Sequence, residues 1–167
     1  MSKKPETERK FLIAKPELSY LLALPGAEAT AILQTYLVAE PGVTARVRRR
    51  EGSAGVVYTA TEKRRLSAMT AMEDERELTE REYRALLLRA NPALRPIEKT
   101  RVTVPHGGLL LEIDLYPFWD RTAVLEVELP SEDTPLALPP CLSVLREVTG
   151  ELAYKNVSLA ARIPPEE

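Results

Sequence analysis

Two carboxylates and an ammonium alternate along the stretch Pro5-Glu6-Thr7-Glu8-Arg9-Lys10-Phe11-Leu12-Ile13. In an extended chain successive side chains point to opposite faces, so Glu6, Glu8 and Lys10 share one side. Thr7, Arg9, Phe11 and Ile13 take the other. Neighbouring carboxylates on the charged side stand about 7 Å apart. Such a pair, followed by a cation, suits a hard divalent metal and phosphate oxygens. A solvated edge strand shows the same alternation, so the rest of the chain has to decide between the two.

The pattern recurs. Four extended segments carry acids on one face, at Glu6/Glu8, Glu73/Glu75/Glu77, Glu112/Asp114 and Glu126/Glu128. Three carry basic or hydroxyl groups, at Arg46/Arg48 (with Arg50 on the same stripe), Thr61/Lys63 and Lys99/Arg101. A solvated sheet face mixes signs so that cross-strand neighbours attract. Strands of one sign throughout point instead to a shared site with an anionic and a cationic wall.

The elements that must position these side chains follow from periodicity and turn residues. Strands are expected near residues 5–13, 29–38, 43–50, 56–63, 73–78, 96–104, 109–116 and 122–129. Gly52-Ser53-Ala54-Gly55 makes a hairpin turn. A short helix is expected over 17–23, stopped by Pro25-Gly26. Thr79-Glu80-Arg81-Glu82 is a capping box opening a second helix, with Tyr83, Leu86, Leu87 and Ala90 on one stripe and Asn91-Pro92 at its end. The Pro-rich segment 130–140 reads as loop. Cys141 to Val148 reads as a helical turn running into a short extended piece, and Glu151 to Ala161 as a closing helix. The expected fold class is α+β: an antiparallel eight-stranded β-barrel, or tunnel, with a few helices packed outside.

The faces opposite the charges, such as Ile113, Leu115, Val127 and Leu129, need burial, and the Tyr83/Leu86/Leu87 stripe offers it. A barrel with outside helices would put the charges within. An uncompensated buried charge costs several kcal/mol, against a domain stability of about 5–15 kcal/mol. A dry interior of this kind would not survive, so the barrel must be a wet, metal-containing tunnel that takes polyanions. An open sheet with its charges in solvent satisfies the same alternation.

The totals set outer bounds. A chain of 167 residues fits one domain, here 1–167. Charged residues make up 29% and the formal net charge is −2, which gives no global pull toward nucleic acid or membrane. The single Cys141 excludes an intrachain disulfide and suits a reducing compartment. The N-terminal MSKKPETERK lacks the apolar run of a secretory signal, so a cytoplasmic, soluble protein is expected.

Together these residues resemble the CYTH superfamily, the triphosphate tunnel metalloenzymes. The family's Glu-x-Glu-x-Lys signature stands here as Glu6-Thr7-Glu8-Arg9-Lys10. Gln34-Thr35-Tyr36-Leu37, Arg46-Val47-Arg48, Thr61-Glu62-Lys63 and Glu75-Arg76-Glu77-Leu78 look like its second to fifth strands. Lys99-Thr100-Arg101, Glu112-Ile113-Asp114, Glu126-Val127-Glu128-Leu129, Glu147-Val148-Thr149-Gly150 and Tyr154-Lys155-Asn156 follow in order. The resemblance implies an eight-stranded tunnel that binds a triphosphate with divalent metal, in proteins that hydrolyse inorganic, thiamine or nucleoside triphosphates or cyclise ATP. One departure stands out: Glu73 occupies a position where short bacterial members often have Arg, which removes one expected phosphate ligand.

On this reading Mg²⁺ or Mn²⁺ is the cofactor. The expected metal ligands are Glu6, Glu8, Asp114, Glu126 and Glu128, with Glu75 and Glu77 binding metal or ordering its waters. Lys10, Arg46, Arg48, Lys63, Lys99 and Arg101 hold the phosphate oxygens, and the resemblance places Lys155 near the tunnel mouth. Glu6, Glu8, Lys10, Glu126 and Glu128 form the expected catalytic set. The expected reaction is hydrolysis of inorganic tripolyphosphate to pyrophosphate and phosphate. Its rivals are a class IV-type adenylate cyclase, a thiamine or nucleoside triphosphatase, and a non-catalytic polyphosphate-binding module. The expected partner is a small-molecule triphosphate, with no nucleic acid and no membrane, and with room for a homodimer. Arg46-Val47-Arg48-Arg49-Arg50 and Lys63-Arg64-Arg65 could make a nucleic-acid patch, but interspersed acids weigh against it. His106 reads as a turn residue, Cys141 as a small apolar residue, and Trp119 as packing or a hairpin tip.

Overall fold

Residues that alternate in character along the chain alternate in direction across one continuous sheet. The structure, a computed structural model, describes residues 2–166, with side chains described from Lys4. Its strands are β1 (Ser2–Ala14), β2 (Glu28–Leu37), β3 (Val43–Gly52), β4 (Gly55–Arg65), β5 (Thr70–Leu78), β6 (Ile97–His106), β7 (Leu109–Leu115), β8 (Thr122–Leu129) and β9 (Val144–Glu147). The helices are α1 (Leu18–Leu22), α2 (Glu80–Leu87) and α3 (Asn156–Ala161), with a 3₁₀ turn at Leu152–Tyr154.

The strands lie in the order β5-β4-β3-β2-β6-β7-β8-β1-β9, and a further pairing of β5 with β1 closes the first eight into an antiparallel barrel. Closure removes the sheet edges and gives every strand an inside and an outside. β1 is the keystone. Residues Ser2 to Thr7 pair with β5, residues Thr7 to Ala14 with β8, and Phe11 to Ile13 with the short β9. Closure excludes the open sheet.

The outward residues make two apolar layers. Phe11, Ile13, Val102, Val104, Leu111, Ile113, Leu115, Leu125, Val127 and Leu129 pack beneath Leu21 of α1 and Leu142, with Leu136 and Leu138 of the Pro-rich loop. On the other flank, Val47, Leu78, Ala45, Tyr58 and Ala60 receive Tyr83, Leu86 and Leu87 of α2. That helix starts where the capping box sets it: Glu82 N donates to Thr79 Oγ1 at 3.1 Å, and Thr79 N donates to Glu82 Oε2 at 2.7 Å. It ends at Leu87, and Ala90 forms a bridge to Leu37 instead of a further turn.

A third cluster fills one end of the barrel, joining Leu12, Tyr36, Ile97, Tyr116, Trp119 and Val124 to Val148, Tyr154, Leu159 and Ala160 of the C-terminal segment. Trp119 is buried there, its indole donating to Pro164 O at 3.1 Å.

The C-terminal segment departs from expectation. Residues 144–147 form β9 on the flank of β1. The closing helix is broken at Lys155, whose extended backbone (φ −71°, ψ 142°) ends the 3₁₀ turn and starts α3. Gly150, at φ +76°, makes the preceding turn, and a Cβ there would lie 2.9 Å from that of Ala68. Only glycine suits both constraints. Cys141 is exposed, contrary to the expected apolar role. Among the described residues, no helix is long and apolar enough to cross a membrane.

Candidate active site

Register gathers charges from distant parts of the chain. Lys10 of β1 pairs with Glu126 of β8, which pairs with Glu112 of β7. Glu8 pairs with Glu128. Across the barrel, Lys63 of β4 pairs with Glu73 of β5, and Arg46 with Thr61 and Thr61 with Glu75. Cross-strand partners point the same way, so each row aims inward.

These rows enclose a cavity of about 530 Å³. Of the expected site residues, Glu6, Glu8, Lys10, Arg46, Arg48, Lys63, Glu75, Arg101, Glu126, Glu128 and Lys155 all line it. Lys99 and Asp114 do not; they point inward one step nearer the apolar end of the barrel, paired at 2.8 Å and 1% and 0% exposed. Glu77 is exposed and also outside the lining. The cavity further takes in Lys4, Arg50, Arg65, Glu73 and Glu112. Arg50, Glu73 and Glu112 stand on stripes that the alternation already marks, and Lys4 and Arg65 extend the Glu6/Glu8 and Thr61/Lys63 stripes by two residues, so the same alternation could have found them.

One wall is cationic. Arg46, Arg48 and Arg50 rise in sequence from β3. Arg48 Nη2 donates to Glu75 Oε2 at 3.0 Å, which also accepts from Thr61 Oγ1 at 2.8 Å. Among the described residues, the buried Nε atoms of Arg46 and Arg48 have no hydrogen-bond partner. Burial, followed by repulsion from Arg46 and Arg101, depresses the Arg48 guanidinium. Lys155, whose side chain makes no hydrogen bond or ion pair among the described residues, is likewise lowered by burial and then by Arg65 and Lys10. Both effects mark cations short of an anion.

The other wall is anionic. Burial, and then the neighbouring Glu126, push the Glu8 carboxyl up to about 7. Burial also raises Glu6, against the pull of Lys63, and Glu112, against that of Arg101. Glu126 is held well below the usual carboxylate range by Lys10 and Arg101 in spite of its burial. Lys10 stands 3.2 Å from Glu126 and donates to Tyr154 O at 3.2 Å. Glu73 forms an ion pair with Lys63 at 3.1 Å, and Lys63 also donates to Glu6. The residue that stands in place of an expected arginine therefore ties Lys63 to the wall.

The donors fit a hard divalent cation by chemistry: they are carboxylate oxygens, with a like-charged pair at Glu8/Glu128, while Glu112 and Glu126 already share Arg101. Like charges directly opposite are unfavourable, and a cation between the rows would relieve them. Among the described residues, no three acidic, histidine or cysteine side chains converge into a ready-made metal cage. Ligation would draw carboxylates from their present lysine and arginine partners.

The barrel fold is shared with solved structures. The protein NE1496 superposes with a TM-score of 0.60 at 30% identity, covering 95% of this chain and 99% of that one. The chain belongs to the CYTH superfamily. A second structure of NE1496, described as an inorganic triphosphatase, matches at 29% identity with a TM-score of 0.58, over 96% of this chain and 97% of that one. A candidate adenylate cyclase from Bacillus halodurans shares the fold at 19% identity and a TM-score of 0.54, over 79% and 84% of the two chains. No family model matches the sequence, and no curated protein matches it. The CYTH barrel is therefore common ground between this chain and these structures.

Proposed function

We propose that this CYTH protein is a divalent-metal-dependent hydrolase of linear triphosphates, with inorganic tripolyphosphate as its substrate and orthophosphate and pyrophosphate as products. The observation that carries the reading is the gathering of Arg46, Arg48 and Arg50 of β3 and of Glu8, Glu126 and Glu128 of β1 and β8 around one cavity of about 530 Å³, with Lys63 bonded to Glu6 in its wall. The relation to the inorganic triphosphatase NE1496 supports it.

Arg46, Arg48 and Arg50 would hold phosphoryl oxygens through planar forks, and Lys63 and Lys155 as point charges. Glu6, Glu8, Glu126 and Glu128 would hold Mg²⁺ or Mn²⁺. When bound, the metal supplies charge neutralisation and Lewis acidity toward phosphoryl oxygens and water. The protein's remaining task is positioning, since phosphoryl transfer asks for little covalent help. The water oxygen bonds to the terminal phosphorus as one of its O–H bonds gives up a proton to solvent, the bridging P–O bond breaks, and its electron pair leaves with pyrophosphate. The arginine row neutralises charge on the leaving group.

The test is a panel of tripolyphosphate, ATP and thiamine triphosphate with Mg²⁺ or Mn²⁺, with and without chelator. Orthophosphate release that is fastest from tripolyphosphate and abolished by chelation is expected. Cyclic AMP from ATP would replace this reading with a cyclase. Tight binding without turnover would replace it with a binding module.

A further inference from the structure

The barrel wall has a seam. One edge of β1 pairs with β8 from Thr7 to Ala14, but the other is shared: β5 pairs with it up to Thr7, and β9 begins at Phe11. Glu8 and Lys10, both on the charged inward stripe, fall in the gap. Their main-chain groups need partners there as in any strand, and loop atoms supply them. Glu8 N donates to Met69 O at 3.0 Å, Lys10 N donates to Thr149 Oγ1 at 2.9 Å, and Lys10 O accepts from Val148 N at 2.8 Å.

The hydroxyl that receives Lys10 is itself held from outside the barrel. Thr149 Oγ1 donates to Glu147 Oε1 at 2.8 Å. Arg9, directed outward between Glu8 and Lys10, grips the same carboxylate twice, Nε on Oε1 at 2.7 Å and Nη2 on Oε2 at 2.8 Å. Its guanidinium lies 5.2 Å from the centre of the Phe11 ring. These bonds close a ring that runs from the Lys10 amide through Thr149 and Glu147 to the side chain of the residue before it. A two-point arginine–carboxylate contact fixes orientation as well as distance, so the ring sets where the turn at 148–150 meets β1. On the inner side of the seam Glu8, Lys10 and Lys155 line both the main cavity and a smaller one of about 50 Å³, which Thr149 and Gly150 also border.

We propose that Arg9, Glu147 and Thr149 form a clasp on the outside of the barrel that closes this seam, and that they are positioning residues for Glu8 and Lys10. They touch neither phosphate nor metal and act through the Lys10 backbone. The effect on turnover rests on the triphosphatase reading; the clasp does not.

Amide hydrogen exchange in ¹⁵N-labelled full-length protein, without ligand, tests the clasp by itself. Thr149→Val keeps the shape of the side chain and removes the hydroxyl. The Lys10 and Val148 amides should then exchange about tenfold faster or more, the scale of one lost hydrogen bond. The Val47 amide, in a strand paired on both sides with Thr35 and Ala60, should change by less than about twofold, because the opening is local. Unchanged exchange at Lys10 would overturn the proposal. So would equal acceleration at Val47, which would reduce Thr149 to general support of the fold. This arm decides even if the protein hydrolyses nothing, so failure of the clasp is distinguishable from failure of the triphosphatase reading.

Kinetics with tripolyphosphate and Mg²⁺ supply the second arm. Thr149→Val and Arg9→Met should each lower kcat by about tenfold with KM within about threefold, as when a reacting group loses its placement. Thr149→Ser restores the hydroxyl and should return kcat to within about twofold of wild type. The double variant should fall less than about twofold below the weaker single one, because both act through one ring. Multiplicative losses, or no rescue by Ser, would contradict the clasp. A KM raised tenfold at unchanged kcat in Arg9→Met would make Arg9 a phosphate ligand and sink the idea. Arg9→Met removes a partly exposed pair and covers the case in which Thr149→Val does not fold; it should accelerate exchange at the same two amides.

Discussion

Glu8 of β1 and Glu128 of β8 stand directly opposite each other in the barrel wall, two like charges in one cross-strand pair. Directly opposed like charges destabilise a sheet by roughly 0.2–1 kcal/mol, so a fold that keeps such a pair facing a cavity has a use for it. Replacing Glu128 with Gln removes the repulsion together with an exposed, long ion pair to Lys4, which contributes little. Metal-free Glu128→Gln should therefore melt at or slightly above the wild-type temperature, while its turnover of tripolyphosphate falls by two or more orders of magnitude. Differential scanning calorimetry and initial rates under saturating Mg²⁺ check the two halves; near-wild-type turnover would remove Glu128 from the metal site.

The Glu8 carboxyl, pushed up to about 7 by burial and then Glu126, gives the metal-free protein a pH signature. A group whose folded pKa is raised favours the fold when protonated. That stability is fully present below the unfolded value of about 4.3, and is lost as pH rises through about 7. Metal competes with that proton, so the concentration of Mg²⁺ giving half-maximal activity should rise steeply as pH falls below about 7 and level off above it. Titrating Mg²⁺ at half-unit steps from pH 5.5 to 8.5 reads this; a flat profile would mean that Glu8 stays outside the metal site.

Arg48 sits in the cationic wall with an unpartnered Nε and one ion pair to Glu75. Substituting Ala leaves Glu75 with Thr61 as its remaining hydrogen-bond partner and removes a fork from the phosphate path. KM for tripolyphosphate should rise by about tenfold or more, the scale of one charge-assisted hydrogen bond. Arg48→Lys should recover part of the charge and little of the geometry.

Thr79 affects the fold without touching the cavity. Thr79→Ala removes the hydroxyl that accepts from Glu82 N, and a lost cap costs about 1 kcal/mol. Urea denaturation should register that loss, with kcat and KM unchanged.

The sequence was most readable where inside and outside alternate. Glu6/Glu8/Lys10, Arg46/Arg48 and Glu126/Glu128 each announce an inward stripe because the neighbours between them are apolar or otherwise directed. Eight strands, the helix capped by Thr79 and the closed barrel follow from that alternation together with the family resemblance. Depth along the stripe was less readable. Asp114 and Lys99 have the same parity as Glu112 and Arg101, but sit one step nearer the apolar end formed by Leu12, Tyr116 and Val124. Period-two reasoning gives the face of a side chain and not its distance from the cavity. The break at Lys155 was hidden for another reason: Glu151 to Ala161 has helix-forming composition, and docking against the barrel end overrides it.

The central claim is that one cavity with an acidic and a basic wall works on a chain of linked phosphates with the help of a divalent cation. A ³¹P NMR time course of tripolyphosphate with the full-length protein and Mg²⁺ tests it most directly. Equal growth of orthophosphate and pyrophosphate signals, stopped by chelator and resumed when Mg²⁺ is restored, is the predicted result. An unchanged tripolyphosphate spectrum with both Mg²⁺ and Mn²⁺, from protein shown to be folded, would contradict it.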